Sequence, residues 1–184
     1  MKNPFLIGRL YYLRFLERDD INERYLSWMN DKEVTKYLHL PSEEGPYTIE
    51  GLVDFLEKHQ NENSYFFAII DKNNDKHIGN VKLAVTDKTI GTAELGMLVG
   101  EKDYWGKSCM YDVYSILIDY AFNKLHIKII SLGADINNVA AIITFKKLGF
   151  SLKKITKKHY IRNGQYIDSV RFGLSFKDYC AQKG

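Results

Sequence analysis

The sequence predicts an α/β (α+β) fold built on a mixed, mostly antiparallel sheet of six to seven strands with helices on both faces. Two observations predict it. First, runs of β-branched and aromatic residues alternate with segments whose apolar residues recur at helical spacing. Second, the chain has 13 tyrosines and 10 phenylalanines but only 3 prolines, a composition that suits a sheet-containing core. With 184 residues, 45% of them hydrophobic and 27% charged, the chain suits a single globular domain over residues 1–184.

The first part of the chain is predicted to hold one strand and several helical segments. The apolar, aromatic run 10–16 predicts a strand, and the acidic pair Asp19-Asp20 is typical of the start of a helix, which is expected to end near Met29. Residues 30–38 predict a second short helical turn. The next features are a loop with Pro41, Gly45 and Pro46, and a helix at 49–59 with Thr48 as its cap.

The middle of the chain predicts a hairpin, a third strand and a long helix. Runs 65–70 and 77–85 are rich in β-forming residues, and the polar stretch 71–75 between them has the composition of a hairpin turn. A third strand is expected at 92–99, and the segment 107–124 has its apolar residues along one face of a helix. The chain therefore passes from a strand through a short loop into its longest helix.

The C-terminal part predicts a strand, a helix and a second hairpin. The apolar stretch 127–132 predicts a buried strand, and the helix 138–148 is expected to stop at Gly149, since glycine accepts the left-handed backbone of a helix end. The last elements are the hairpin strands 151–161 and 168–176 and their turn at 162–165 with the pair Asn163-Gly164.

Charge, cysteine content and hydropathy exclude several classes of function. A formal charge of +3, from 26 basic and 23 acidic side chains, is too small for a nucleic-acid surface. Cys109 and Cys180 form neither a metal spacing nor a disulfide framework, and the histidines have no metal-site pairing. A cytoplasmic protein without a membrane segment is expected, since no apolar run approaches the roughly 20 residues of a span. The chain has one dense basic run, which comprises Lys153, Lys154, Lys157 and Lys158. This run suits either a solvated face or a phosphate-bearing ligand.

The loop between the third strand and the long helix is a candidate anion-binding site. It comprises residues 101–108, and a loop entering a helix presents unpaired backbone N–H groups at the positive end of the helix dipole. Gly106 has no side chain to keep a pyrophosphate from the backbone, and Lys107 adds a positive charge. The loop indicates phosphate binding, although strand–loop–helix junctions with one glycine occur in many folds.

This loop belongs to a longer pattern that resembles the GNAT superfamily of N-acetyltransferases over nearly the whole chain. The blocks that carry the resemblance are 94–100 with 103–108, which match an acetyl-CoA strand and pyrophosphate loop, then 120–125, 138–150 ending in Gly149-Phe150, and 163–168 in the last hairpin. The branch of the superfamily that looks most similar contains ribosomal-protein, spermidine and amino-sugar acetyltransferases.

The resemblance implies acetyl-CoA as cofactor and CoA as product. In this fold two central strands splay apart, here around Met97 and Lys128, and the pantetheine arm pairs with strand backbone in the gap. Amides of residues 106–108 would hold the pyrophosphate, and an amide near Leu98 would polarise the thioester. The residues implied in cofactor binding are Met97, Leu98, Val99, Tyr104, Trp105, Gly106, Lys107, Ser108, Asn138, Phe145 and Lys147.

The resemblance also implies a general base and leaves the general acid undecided. Glu94 on the acetyl-CoA strand is the expected base, and Asp168 on the last strand is the second candidate. Many members of the family have a tyrosine at the position of Phe145, whose phenyl ring cannot donate a proton. Either the thiolate leaves without an enzyme acid, or a hydroxyl such as that of Tyr160 or Tyr166 reaches it. Direct transfer requires no cysteine nucleophile.

Two loop residues depart from the family pattern. Ser108 replaces a common glycine, and Asp103 stands where many relatives have glutamine or arginine. A carboxylate beside a diphosphate repels it unless the carboxylate points away. These departures leave open a domain that binds acyl-CoA without turnover.

The expected partner is a small molecule with a primary amine. Two stretches, 25–38 and 77–83, look like members associated with bacterial surface-sugar synthesis, which makes an amino-sugar nucleotide the main expectation for the acceptor. A protein N-terminus of the ribosomal-protein type and a polyamine are the alternatives. A basic acceptor pocket would favour the nucleotide sugar, and an acidic one the polyamine. A homodimer is left open.

Overall fold

The computed structural model describes residues 1–38, 46–162 and 164–183. Its strands are β1 (Leu6–Ile7), β2 (Tyr11–Phe15), β3 (Ser64–Asp71), β4 (His77–Asp87), β5 (Thr92–Val99), β6 (Ile129–Asp135), β7 (Ser151–Arg162) and β8 (Gln165–Ser175). Its helices are α1 (Glu23–Asn30), α2 (Ile49–His59), α3 (Cys109–Asn123), α4 (Val139–Lys147) and α5 (Phe176–Lys183). Within these residues the eight strands form one sheet in the spatial order β1-β2-β3-β4-β5-β6-β8-β7.

The predicted fold class is confirmed, with one strand more than the six to seven expected. The additional strand is β1, whose two residues pair with β2 at the edge of the sheet and are too few to show an alternating pattern. At the other end of the chain, β8 stops at Ser175 and α5 follows directly. The sequence pattern had indicated no helix after the last strand.

The first helix begins later than the acidic pair Asp19-Asp20 indicates, so that expectation was wrong. Arg18–Asp20 is a single 3-10 turn, and the cap of α1 is Asn22, whose side chain accepts hydrogen bonds from two backbone N–H groups. The reason lies in Asp20, whose carboxylate accepts two hydrogen bonds of 2.6 Å from the guanidinium of Arg14. It is therefore not available to cap α1.

The second short helical turn predicted at 30–38 is present as a single turn rather than as a regular helix, since the N–H of Thr35 donates a helical hydrogen bond of 3.0 Å to the carbonyl oxygen of Asp31. The side chain of Asp31 accepts hydrogen bonds from the backbone N–H groups of Glu33 at 2.8 Å and Val34 at 3.4 Å, which is the contact of a helix cap. Three residues with predicted roles lie outside the described part of the chain: Pro41, Gly45 and Asn163.

Helices cover both faces of the sheet. Along β3, Phe67 and Ile69 pack in a core with α3, α4 and α5, whereas Phe66, Ala68 and Ile70 pack in a second core with α1 and α2. Successive side chains of a strand point to opposite faces, so a strand buried on both faces is apolar throughout. The predicted helices on both faces are confirmed.

The central strands β5 and β6 run parallel and then separate. Their pairing ends where Leu95 lies opposite Leu132, after which β5 continues along β4 and β6 continues along β8. The gap opens at Gly96 and Gly133, and a Cβ atom built on either glycine would meet open space. The sheet is thus split on one side of its centre.

The splayed strand pair is therefore confirmed at Met97, but the expectation that Lys128 borders the gap was wrong. Lys128 lies at the closed end, where its backbone N–H donates a hydrogen bond of 2.7 Å to the carbonyl oxygen of Gly91. The hydrogen bonds between β5 and β6 hold the two strands together from Ile129 to Leu132, so the strands can separate only beyond Leu132, toward the carboxyl end of β6.

Three predicted helix ends are confirmed. Thr48 caps α2 by accepting a hydrogen bond of 3.1 Å from the backbone N–H of Gly51. Asn138 caps α4 by accepting one of 3.2 Å from the backbone N–H of Ala141. Gly149 follows α4 with a φ of 86°, the left-handed conformation that ends helices.

Candidate active site

A cleft of about 1340 Å³ occupies the gap between β5 and β6. Leu95 of β5 belongs to the core under α3, whereas Leu98 belongs to the core under α1 and α2. Because strand side chains alternate, Met97 and Val99 face the α3 side of the sheet, and Glu94 and Gly96 face the α1 side. The cleft is lined from both faces, so one ligand entering from each side would meet the other in the gap.

The loop that leads into α3 has a backbone shaped for an anion. A 3-10 turn at Lys102–Tyr104 is followed by Gly106 with a φ of 74° and Ser108 with a φ of 59°. Left-handed residues in a turn direct successive N–H groups toward one point. The carbonyl of Ser108 accepts the first helical hydrogen bond, from the N–H of Asp112 at 3.0 Å, so the N–H groups between them point out of the helix end. We call residues 106–109 the amide cradle, in which the N–H of Lys107 also donates a long hydrogen bond of 3.4 Å to the carbonyl oxygen of Tyr104.

The edge of β5 that faces the gap can be assigned from its hydrogen bonds. The N–H of Gly100 donates to Ile78 on β4, whereas the carbonyl of Val99 accepts a hydrogen bond of 2.9 Å from Trp105 Nε1 on the other side. Backbone groups of a strand alternate in direction. The N–H groups of Met97 and Val99 therefore face the gap, and the amide nearest to Leu98 that can contact a ligand is one of these two.

Most of the residues expected to bind the cofactor come together. Those that line the cleft are Met97, Leu98, Val99, Tyr104, Trp105, Gly106, Ser108, Asn138, Phe145 and Lys147. Lys107 lines a second, smaller hollow, where its ammonium lies 5.7 Å from the centre of the Tyr104 ring. Asp103 also lines that hollow. The carboxylate that would repel a diphosphate thus lies away from the cleft.

Glu94, the expected base, lies in the cleft on the α1 side. Its carboxylate forms an ion pair of 3.0 Å with Arg171 of β8, and its side chain is 39% exposed. The position follows from the register, because Glu94 lies one residue before the pairing of β5 and β6 ends. A half-exposed carboxylate beside the gap is placed to accept a proton from a molecule that enters from this side.

Asp168 and Tyr166 lie apart from the other expected residues, outside the described lining of the cleft. The carboxylate of Asp168 accepts hydrogen bonds from Lys157 Nζ at 2.7 Å and from the backbone N–H of Lys158 at 2.9 Å, within a register shift of β7. Tyr166 is 62% exposed. The structure gives Asp168 a role in shaping the β7–β8 hairpin, since Lys158 there has a φ of 50°.

A buried network at the end of β6 was missed by the sequence analysis. Asp135 Oδ2 accepts hydrogen bonds from Arg162 Nη1 at 2.6 Å and from the Tyr160 hydroxyl at 3.0 Å, and Arg162 Nη2 donates to that hydroxyl at 2.9 Å. Asp135 and Tyr160 both line the cleft. The strand 127–132 predicted from the sequence stopped three residues short of Asp135, which hid this network. The spacing of Tyr160 and Arg162, two residues apart on one strand face, was the available signal.

Burial and hydrogen bonding fix the charges of this network. Burial opposes ionisation of Asp135, but hydrogen bonds from the Asn137 N–H, Arg162 and Tyr160 outweigh it and hold the pKa of Asp135 below its ordinary value. Burial and the hydrogen bond to Asp135 raise the pKa of Tyr160 to about 12. At neutral pH the network thus consists of a carboxylate, a neutral phenol and a guanidinium.

Cys109 opens α3 and lines the cleft, but it is not prepared for nucleophilic chemistry. Burial, followed by the nearby charge of Asp112, raises the pKa of the Cys109 thiol to about 12, so it is not ionised at neutral pH. In the parts of the chain that the structure describes, no group of three or more histidine, cysteine or acidic side chains is placed to hold a metal ion. No described helix is long and apolar enough to cross a membrane.

Sequence comparison places this geometry among acetyltransferases. Residues 9–151 match the family model described as acetyltransferase (GNAT) domain. The probable N-acetyltransferase YjcK of Bacillus subtilis is 26% identical over 168 residues, which cover 89% of this chain and 92% of that protein. The spermidine N(1)-acetyltransferase of Escherichia coli is 28% identical over 172 residues, which cover 92% of this chain and 88% of that enzyme.

Comparison with solved structures gives the same fold. The crystal structure of spermidine N-acetyltransferase from Vibrio cholerae in complex with CoA and spermine superposes with a TM-score of 0.82 over 93% of this chain and 98% of that one, at 23% identity. The crystal structure of an acetyltransferase of the GNAT family from Bacillus anthracis has a TM-score of 0.78 over 92% of this chain and 97% of that one, at 18% identity.

Proposed function

The chain belongs to the GNAT acetyltransferase family and is an acetyl-CoA-dependent N-acetyltransferase, and we propose that its acceptor is a primary amine of a small polyamine. The observation that carries the proposal is the cleft through the split sheet, with the amide cradle on the α3 side and Glu94 on the α1 side. The similarity to spermidine N(1)-acetyltransferase over nearly the whole chain supports a polyamine.

The residues of the α3 side suit acetyl-CoA. The amide cradle would bind the diphosphate, and the open space beside Gly106 leaves room for phosphate oxygens to approach the backbone. The N–H groups of Met97 and Val99 would pair with the amide-containing arm as an added strand does, which brings the thioester into the gap. Bound there, acetyl-CoA supplies an acyl carbon that is open to attack by an amine.

Glu94 is our candidate for the general base. A protonated amine has no lone pair, so it must lose a proton before it attacks the acyl carbon. Glu94 lies on the side of the gap from which an acceptor enters, and Arg171 holds its carboxylate in place. The positive amine of an arriving acceptor would compete with Arg171 for the same carboxylate.

The charge of the described lining favours a second candidate acceptor. Lys36, Lys82 and Lys154 line the cleft and have no carboxylate partner among the described residues. The three acidic side chains of the described lining are all paired, Glu94 and Asp135 with an arginine each and Glu33 with Lys102. A basic lining attracts anions and repels polyamines. An amine that carries phosphate, such as the amino-sugar nucleotide expected from the sequence, is therefore the alternative, although the relatives named above support the polyamine rather than the amino sugar.

The release of CoA thiol with a panel of amines tests the proposal. We expect wild-type protein with acetyl-CoA to release thiol with spermidine and spermine. Glu94→Gln should slow this release at neutral pH by roughly 10²–10⁴-fold, the usual contribution of a general base. The rate of the variant should recover as the pH approaches the pKa of the amine, because a deprotonated amine needs no base.

The matched control is Glu62→Gln, which removes a carboxylate from an exposed ion pair of the same 3.0 Å length with Lys88, away from the cleft. It should behave as the wild-type does. Thiol release with an amino-sugar nucleotide and none with polyamines would replace the proposed acceptor by the alternative. A Glu94→Gln variant as fast as wild-type at neutral pH would remove Glu94 from the reaction.

A further inference from the structure

One tyrosine of α3 is buried and yet lines the cleft. Tyr114 is 3% exposed and belongs to the core between α3 and the sheet. It also lines the α3 side of the cleft, in the same helix whose first turn forms the end of the amide cradle. A phenol in this position is large enough to bridge the apolar core and the gap.

The hydroxyl of Tyr114 has no partner among the described residues. Burial alone raises the pKa of Tyr114, and no neighbouring charge or hydrogen bond from the described chain contributes. The other cleft hydroxyl considered for proton transfer, that of Tyr160, is hydrogen-bonded to Asp135 and Arg162. The ring of Tyr114 is buried but the residue lines the cleft, so its hydroxyl can hydrogen-bond to a ligand bound there without giving up a contact in the described protein.

Tyr114 lies beside Phe145, the cleft residue of α4. The two ring centres are 6.2 Å apart, and Phe145 is itself buried and lines the cleft. Phe145 offers no proton, so of these two adjacent rings only Tyr114 can donate to a group in the gap. A donor in this place would speed the reaction, because the sulfur of the thioester becomes negative as its bond to the acyl carbon breaks.

We propose that the Tyr114 hydroxyl is the catalytic acid that donates to the departing CoA sulfur. This role rests on the acetyl transfer proposed above. The amine nitrogen bonds to the acyl carbon, the carbon–sulfur bond breaks, and its electron pair goes to sulfur. Tyr114 hydrogen-bonds to that sulfur and gives it a proton. The amine has already given a first proton to Glu94, and the second proton, which its nitrogen loses as the amide forms, replaces the one on the phenol. The products are an amide and a free thiol.

Tyr114→Phe tests the role because it removes one oxygen that holds no described contact. Its kcat for thiol release should fall by roughly ten- to a hundred-fold, somewhat below the usual range for general acids since a thiolate is a good leaving group. Its dissociation constant for acetyl-CoA and its unfolding midpoint should stay at the wild-type values. Phe145→Tyr in the Tyr114→Phe background should restore much of the loss, because it returns a hydroxyl to the neighbouring ring.

One control separates this role from an effect on folding. Tyr120→Phe removes a hydroxyl from the same helix away from the cleft and should leave kcat unchanged. If the wild-type is active and Tyr114→Phe has the same kcat, the role of Tyr114 is overturned while the proposed acetyl transfer stands. A loss of activity that appears wholly as weaker acetyl-CoA binding overturns that role in the same way. A wild-type that binds acetyl-CoA but releases no thiol with any amine would overturn the proposed transfer as well.

Discussion

His77 is a residue whose burial makes the stability of the protein depend on pH. It is 4% exposed, its ring lies edge-on to Trp28 at 5.2 Å, and its Nε2 contacts the carbonyl oxygen of Gly79 at 2.8 Å. Burial lowers the pKa of His77 to about 4, and the positive charge of Arg24 adds to the effect while Asp20 opposes it. The ring is therefore neutral in the folded protein across the physiological range.

We expect the free energy of unfolding to fall as the pH drops from about 6.5, the ordinary pKa of histidine, to about 4. In this window the unfolded chain binds a proton that the folded chain does not, so acid favours unfolding. At about 1.4 kcal/mol per pH unit, His77 accounts for roughly 3 kcal/mol over the window. Urea unfolding at a series of pH values measures this loss.

The control for this prediction is His77→Gln, which removes the titrating group while keeping a hydrogen-bond donor for Gly79. Its stability should vary less with pH between 4 and 6.5 than that of the wild-type. Equal slopes for the two proteins would mean that another group causes the pH dependence.

Single residues were predictable where a local rule decides their role. Thr48, Asn138 and Gly149 end helices because of contacts within a few residues, and these roles could be predicted from the sequence. Tyr114 and Asp135 could not, because their surroundings come from distant parts of the chain. Asp135 pairs with Arg162 across 27 positions, and no local pattern marks such a partner.

At the scale of elements, the loop that enters α3 carries the proposed diphosphate site, and Gly106 allows a test of its charge preference. Gly106 has a φ of 74° and open space beside it, so a side chain there would strain the backbone without striking a neighbour. Asparagine and aspartate are the other residues that accept this conformation most readily. The pair Gly106→Asn and Gly106→Asp therefore differ in charge at nearly equal strain.

We expect Gly106→Asp to bind CoA more weakly than Gly106→Asn by roughly ten- to a hundred-fold in calorimetric titration. A carboxylate a few ångströms from a diphosphate costs about 1–3 kcal/mol at the effective dielectric constants of a protein surface. The difference should shrink at high salt, since salt screens exposed charges. Equal affinities for the two variants would place the diphosphate away from this loop.

Elements were predicted well where periodicity is strong and poorly where a strand or helix is short or continues past its apolar run. The hairpin of β3 and β4 and the helices α2 and α3 follow from their apolar spacing. β1 is too short to show a period, and β6 extends to Asp135 beyond the apolar residues that predicted it. The residues of β6 beyond that apolar run form one wall of the gap. The sequence therefore indicated that two central strands separate, but not the residue of β6 at which they do so.

At the scale of the whole molecule, the account depends on two ligands that meet through a split sheet. One face supplies the amide cradle and Tyr114, and the other supplies Glu94 together with lysines that bear on the choice of acceptor. The family could be predicted from sequence because its blocks are contiguous. The acceptor could not be predicted from sequence, because the lining of the cleft combines residues of the segment after α1 with residues of β4, β5, β7 and β8. In addition, a fold does not by itself define a substrate.

A crystal structure of the protein with CoA tests the central claim most directly. We predict that the diphosphate oxygens lie within hydrogen-bonding distance of the backbone N–H groups of residues 106–109. The pantetheine arm should run between β5 and β6, paired with Met97 and Val99, and the sulfur should lie near the Tyr114 hydroxyl. CoA bound at another surface, or a gap closed by side chains when CoA is present, would contradict the account.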